Sequence, residues 1–429
     1  MNLFWQIPDG VAIAHGHFPQ RVETAIESGP LVAQEWLFEV AVGWLATHGL
    51  YPLVVVGCAL AGAATPLLVY ALARTGGCGT LAAGVVAFLA AGSRLAAAAV
   101  RPETLAVDAF ALELLVLAGR ASVWWIFPVV LLWANVHASV PLGVIAPVLV
   151  SAGTLVTSGA RSTAFRRAAA ASALALGATL ATPHGVGLWV YAWQLAIAPN
   201  PVTAQLEAWR SLSLMSPAGV LTVIPGLAVL IAVGAVIRRR TVPELLVAGV
   251  VLAATIVHAR AAVFLPVAWA LPLARALDER THIGALARAA PRAPLLALIP
   301  FCAFFALSAP AIQPAPDRDG PWRSAAAIAA DHHLAGNTYT DYGWAAYLTY
   351  RGLPLRPLID GHGDPYPPSV WADAAALEHL APNWDEVLRR RSIRVVIVAA
   401  QAPIAQALAL RTDWVLVERR RGVIAYVRR

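Results

Sequence analysis

The chain has 429 residues, 59% of them hydrophobic and only 13% charged, with a formal net charge of +7. A soluble domain carries roughly 25% charged residues, so too few are present to cover a soluble surface, and lipid is the expected solvent for most of the chain. Every basic residue is an arginine, and the arginines punctuate apolar stretches instead of forming one basic face, which argues against a nucleic-acid partner.

Cys58, Cys78 and Cys302 lie far apart, in or beside apolar segments, with neither metal-ligand spacing nor a disulfide framework. The first thirty residues lack the charged, apolar, small-residue order of a cleavable signal peptide. Residues 1–49 are expected to form a first outer loop with interfacial helices. Within it, residues 33–47 (AQEWLFEVAVGWLAT) suggest a helix with Glu35 and Glu39 one turn apart on one face. That face is either a solvated stripe or a carboxylate pair lining a site.

A helix rises about 1.5 Å per residue and the hydrocarbon core is about 30 Å thick, so a span needs about 20 apolar residues. Candidate spans lie near 50–73, 79–98, 104–119, 123–137, 139–158, 168–182, 217–237, 243–258, 261–277 and 293–311. The expected fold is therefore a polytopic α-helical membrane protein of about ten spans, its bundle covering 50–312. Alternate connections carry Arg74, Arg120, Arg161, Arg166, Arg167, the run 238–240, Arg275, Arg280, Arg288 and Arg292, whereas the others hold only Arg21, Arg101, Arg210 and Arg260. The arginine-rich side is expected to be cytoplasmic. This puts 1–49, the 183–216 loop and the tail outside, together with Asp9, His137, His184 and Glu207.

Beyond the linker QPAPDRDGP, residues 313–429 read as a small α/β extracytoplasmic domain. Helices are expected near 322–335, 343–351, 369–379, 383–391 and from 403. Strands are expected near 337–341 and 355–359, in the apolar run at 394–400, and in WVLVE and GVIAYV. Between them, Leu358 to Tyr366 (LIDGHGDPY) follows a strand end with a glycine-rich turn that presents Asp360, His362 and Asp364 together. The turn either holds a hard divalent cation or closes as a polar loop.

Several stretches, in order, resemble the GT-C superfamily of polytopic glycosyltransferases, in particular a poorly characterised bacterial multi-pass group related to them. They are NLFWQIPDGVAIAHGHFP at 2–19, QEWLFEV at 34–40, RPE at 101–103, LWANVHASVPLG at 132–143, TPHG at 182–185, LEAW at 206–209, HAR at 258–260, YTDYGWAAYL at 339–348 and IDGHGDPY at 359–366. The resemblance implies sugar transfer from a polyprenyl-phosphate donor on the outer face of a bacterial inner membrane. An acidic residue of the first outer loop would activate the acceptor or bind a divalent metal beside the donor phosphate.

The chain departs from that pattern. It begins almost at the loop motif, where related proteins carry a preceding span. The acidic position falls on Asn2, a frequent histidine on Gln6, the histidine before the Glu-Trp pair on Gln34, and a later acidic position near Val22. Asp9 and Glu35 are then the candidate catalytic carboxylates. Arg101, Glu103, Asn135, His137, His184, Arg260, Asp360 and His362 are the candidate substrate-binding groups, with the two arginines on phosphate. The alternatives are a degenerate, non-catalytic lipid- or glycan-binding relative, favoured by those substitutions, and a transporter, which would need inverted repeats.

Overall fold

The computed structural model describes residues 3–96, 100–119, 121–196, 242–280, 298–299, 302–303 and 320–429. The chain divides into two compact units, one of Met1–Tyr51, Pro199–Gln205 and Pro314–Arg429, the other of Pro52–Ala198 and Leu206–Gln313. The expected span 217–237, most of 293–311, and Arg120, Glu207, Arg210, the run 238–240, Arg288 and Arg292 lie outside the described residues.

The first unit opens with α1 (Leu3–Ala14) and α2 (Trp36–Thr47), and α3 (Tyr51–Thr75) leads into the second. The second continues through α4 (Thr80–Ala96), α5 (Glu103–Ala118), α6 (Ile126–Val136), α7 (Pro141–Ser158), α8 (Thr163–Leu180), α9 (Gly187–Ala196) and α10 (Val242–Val257). A 3-10 turn (Ala259–Phe264), α11 (Leu265–Ala268) and α12 (Ala270–Arg280) close the described bundle. Its core is built of small residues: Ala82, Ala83, Ala87 and Ala90 of α4 and Ala171, Ala175 and Ala178 of α8 are buried around Phe110, Trp133 and Leu188. Without a hydrophobic driving force between helices in lipid, such residues let backbones approach and gain dispersion contact. Large apolar side chains point outward instead, Leu60 at 56%, Phe88 at 58% and Val156 at 79% exposure. A surface of that kind is stable against hydrocarbon rather than water.

Among the described residues, α3 and α7 are long and apolar enough to cross a membrane, and a third crossing arises if the segments either side of Trp269 count as one. The expectation of about ten spans is thus corrected for the described part. Three of the expected spans, α5, α6 and α10, are helices of 16, 11 and 16 residues, and 16 residues rise only about 24 Å. The α8 helix reaches 18 residues but opens with Arg166 and Arg167 and is rich in alanine. The expected span 261–277 is broken and bent by 45°, in a stretch where Pro266 supplies no amide hydrogen to an ongoing helix.

The tail folds as α13 (Pro321–Asp331), β1 (Gly336–Thr340), α14 (Tyr342–Tyr350), β2 (Leu355–Pro357), α15 (Pro368–Glu378), α16 (Trp384–Arg390), β3 (Val395–Ala399), α17 (Pro403–Ala409), β4 (Trp414–Arg420) and β5 (Val423–Arg428). The sheet order is β2-β1-β3-β5-β4. β1 pairs in parallel with β2 and β3, and β5 runs antiparallel to β3 and β4. β3 is central and buried along Val395–Val398, which is why its sequence is apolar without alternation.

The first fifty residues are part of this unit. Phe4 of α1 enters the core formed by Trp322, Trp344, Tyr347 and Leu355, with its ring 4.8 Å from that of Tyr347. The segment after α1 is bonded to the tail by Ile26 N–H to the Pro357 carbonyl at 3.0 Å and Gly29 N–H to the Pro365 carbonyl at 2.6 Å. Arg391 pairs with both Asp373 and Glu27. α2 stacks on α1 through two glycines. A Cβ at Gly10 would run into the Glu39 carbonyl, and one at Gly43 would lie 2.8 Å from the Val11 nitrogen.

Candidate functional site

In the first unit, Trp5 and Asp9 stand four residues apart on α1 and so share a face. Both meet His362. The Trp5 ring lies 4.5 Å from the imidazole, and Asp9 Oδ2 is 3.0 Å from Nε2. The indole can approach because residue 361 is glycine; a Cβ there would sit 2.6 Å from Trp5 Cδ1.

On the other side of the ring, His362 Nδ1 is 2.8 Å from Asp360 Oδ1. The same oxygen accepts the His362 backbone N–H at 3.2 Å, closing an Asx-type turn, and the Tyr366 hydroxyl at 2.8 Å. Asp360 is buried at 1% exposure, while the Asp9 side chain keeps 17%. Asp9 Oδ1 makes no hydrogen bond among the described residues.

With a carboxylate on each ring nitrogen, a neutral imidazole would aim a lone pair at an anionic oxygen. The ring is therefore an imidazolium donating both ways. Burial opposes its charge, but Asp360 and Asp9 outweigh that and push the imidazole well above its usual range. Burial likewise opposes the Asp360 anion, and the His362 charge with the His362 and Tyr366 hydrogen bonds brings that carboxyl below the usual range.

Glu35 is buried, and its Oε2 accepts a hydrogen bond from Gln6 Nε2 at 2.7 Å. Glu39 is 2% exposed with Oε2 unpartnered. Desolvation, then the charges of Asp9 and Glu35, push its carboxyl well up, toward the protonated acid. The expected solvated stripe at Glu35 and Glu39 is thus corrected, because α1 covers that face. No three His, Cys, Asp or Glu side chains among the described residues gather as a metal-holding group. The Asp360–His362–Asp364 cation site does not fit this geometry, since both His362 nitrogens are taken by carboxylates.

In the second unit, Arg260 of the 3-10 turn donates from Nε to Glu103 Oε1 at 2.9 Å and from a terminal nitrogen to His137 Nε2 at 3.1 Å. Nε2 thus faces a guanidinium donor, while Nδ1 takes the Ser139 backbone N–H at 3.1 Å and lies 2.8 Å from Ser139 Oγ. Trp133 Nε1–H also donates to that oxygen at 3.0 Å. Arg101 is exposed. Asn135 is turned back on its own helix, donating to the Leu131 carbonyl at 2.7 Å. His184 lies in a turn, where its backbone N–H is 3.3 Å from Thr182 Oγ1.

The structure thus brings Asp9, Asp360 and His362 together in one unit, and Glu103, His137 and Arg260 in the other. Sequence reasoning missed Trp5 and Tyr366, and took Gln6 only as a departure from the family pattern. The four-residue spacing of Trp5 and Asp9 in an apolar stretch was the available signal, masked by Pro8, which α1 contains.

Searches by sequence give no matching family model and no matching curated protein. By structure, the chain aligns over 100% of its length with 70% of the oligosaccharyltransferase of Archaeoglobus fulgidus tethered by a disulfide bond to an acceptor peptide containing the NVT sequon, at TM-score 0.58 and 10% identity. The same coverage holds for the archaeal oligosaccharyltransferase AglB from Archaeoglobus fulgidus in complex with an inhibitory peptide and a dolichol-phosphate, at TM-score 0.61 and 11% identity. The apo form aligns over 95% of this chain and 66% of that one, at TM-score 0.57 and 12% identity. The chain shares the fold of these structures. At these identities the likeness is one of fold. In this chain the fold comprises apolar helices of membrane-crossing length together with the small C-terminal sheet.

Proposed function

We propose that the chain is a membrane glycosyltransferase that moves a sugar from a polyprenyl-phosphate donor to an acceptor hydroxyl on the outer face of a bacterial inner membrane. The observation that carries this reading is Asp9: a carboxylate with one oxygen tied to a buried imidazolium and the other without a hydrogen bond, on a side chain that reaches solvent. The oligosaccharyltransferase fold supports the class of reaction.

Asp9 Oδ1 accepts the proton of the acceptor hydroxyl while the hydroxyl oxygen forms its bond to the anomeric carbon. The bond from this carbon to the lipid phosphate breaks, and the phosphate leaves with the electron pair. A positioned carboxylate contributes about 10²–10⁴-fold to such a step. Within the second unit, taken by itself, Arg101 and Arg260 are the groups proposed to bind a phosphate, Arg260 with its plane set by Glu103. Glu35, already engaged by Gln6, is the weaker candidate for base.

The test is transfer of labelled sugar from a polyprenyl-phosphate donor by the full chain in nanodiscs. Asp9→Asn is expected to abolish transfer while the protein stays folded in the membrane; normal turnover would sink the assignment. Gln6 favours a second reading, a non-catalytic glycan- or lipid-binding protein, because it occupies Glu35 where the related group carries a histidine. Donor binding without turnover by the unaltered chain would support that alternative.

A further inference from the structure

We propose that His362, clamped between Asp9 and Asp360, is the positioning residue that selects which oxygen of Asp9 faces the acceptor. This deepens the reading above and presupposes Asp9 as the base. Asp9 is carried on a helix of only 12 residues that contains a proline, and alone its carboxyl could rotate freely. The bond from His362 Nε2 to Oδ2 leaves Oδ1 as the oxygen without a hydrogen bond among the described residues.

His362 is itself held on every side. Asp360 takes Nδ1, Tyr366 and the turn's backbone N–H fix Asp360, and Trp5 covers the ring face. The Trp371 indole N–H donates to the Gly363 carbonyl at 3.2 Å, anchoring the end of the turn. These partners come from α1, from the 360–366 turn and from α15, so the clamp exists only when the first residues and the tail have folded together. An anion–cation–anion chain carries directional charge-assisted bonds, which orient more stiffly than neutral ones. The other acids near the ring differ in role, since Glu39 faces the same cluster as a buried acid and Glu35 is committed to Gln6.

The experiment measures kcat and KM for the polyprenyl-phosphate sugar donor with the full chain in nanodiscs. Misplacing a reacting group by about 1 Å costs about 10²-fold, so His362→Gln is expected to lower kcat by about that factor with donor KM unchanged. Adding His362→Gln to Asp9→Asn should cost little beyond the loss from Asp9→Asn alone, because the histidine acts through that carboxylate. An unchanged kcat in His362→Gln, or a loss that multiplies with that of Asp9→Asn, would overturn the positioning role.

Should His362→Gln fail to fold, Tyr366→Phe keeps the ring and removes one bond to Asp360. It is expected to reduce kcat several-fold at constant KM, and full kcat would count equally against the clamp. If Asp9→Asn alone retains full activity, the base assignment fails instead, and the two failures are told apart.

Discussion

Each unit holds a buried histidine beside a carboxylate, yet the two rings differ in charge state. His362 lies between Asp360 and Asp9 and is an imidazolium; His137 accepts from Arg260 and is neutral, with Glu103 balancing the arginine instead. Residue types are nearly the same in the two clusters, and what differs is the sign of the second neighbour. A histidine is assigned a role by its partners, and a sequence shows only that the histidine is there.

The strongest way to break the comparison is to remove a charge from the anionic clamp. His362→Ala leaves Asp360 buried without its counter-charge, and breaking a buried pair costs about 3–5 kcal/mol. Thermal unfolding of the full chain should show the corresponding fall in midpoint, and a fall no larger than that of an exposed substitution would mean the imidazolium is not what holds the turn.

Next in size is the helix contact that carries Asp9 to its place. Gly43→Val forces side-chain atoms against the α1 backbone, an overpacking cost of about 1–3 kcal/mol. Denaturant unfolding reads it, and unchanged stability would show that α1 and α2 can separate without loss.

The pH dependence sharpens the contrast. His362 is raised, so its contribution is complete below its unfolded value of about 6.5 and is lost as pH climbs through the folded value. Asp360 is lowered, so its contribution is present above about 3.9 and is lost only as pH falls through its folded value. Glu39 is raised and opposes folding increasingly above about 4.3. Stability should therefore peak in mildly acidic solution and decline toward alkaline pH. Glu39→Gln should flatten part of that decline; a profile rising steadily from pH 6 to 9 would contradict the imidazolium.

The smallest effect belongs to the surface. The Arg390–Glu386 pair, 3.5 Å apart and well exposed, is worth about 0.3–0.5 kcal/mol. Glu386→Gln should leave both unfolding and transfer within error, and a larger change would mark that helix face as part of the function.

The sheet and helices of the tail were legible from period and punctuation, because each strand and helix there is a local pattern closed by a turn. The ten-span expectation was less so. Hydropathy sees apolar composition, while the actual helix length is set by breaks such as the one at Trp269, which bends the chain by 45°. At the site, the sequence supplied Asp9, Asp360 and His362 as separate candidates.

The chain's composition alone determined its apolar helices, and local patterning its α/β tail, since burial of nonpolar surface and hydrogen-bond closure act on neighbours in sequence. The tertiary structure alone decided that Asp9 and His362, 353 positions apart, share one proton-bearing contact, because charge state depends on distance in space. It also decided that Glu35 and Glu39 are buried acids rather than a wet stripe. What lies across a helix face is set by another helix, and Gly10 and Gly43 gave only the room for it.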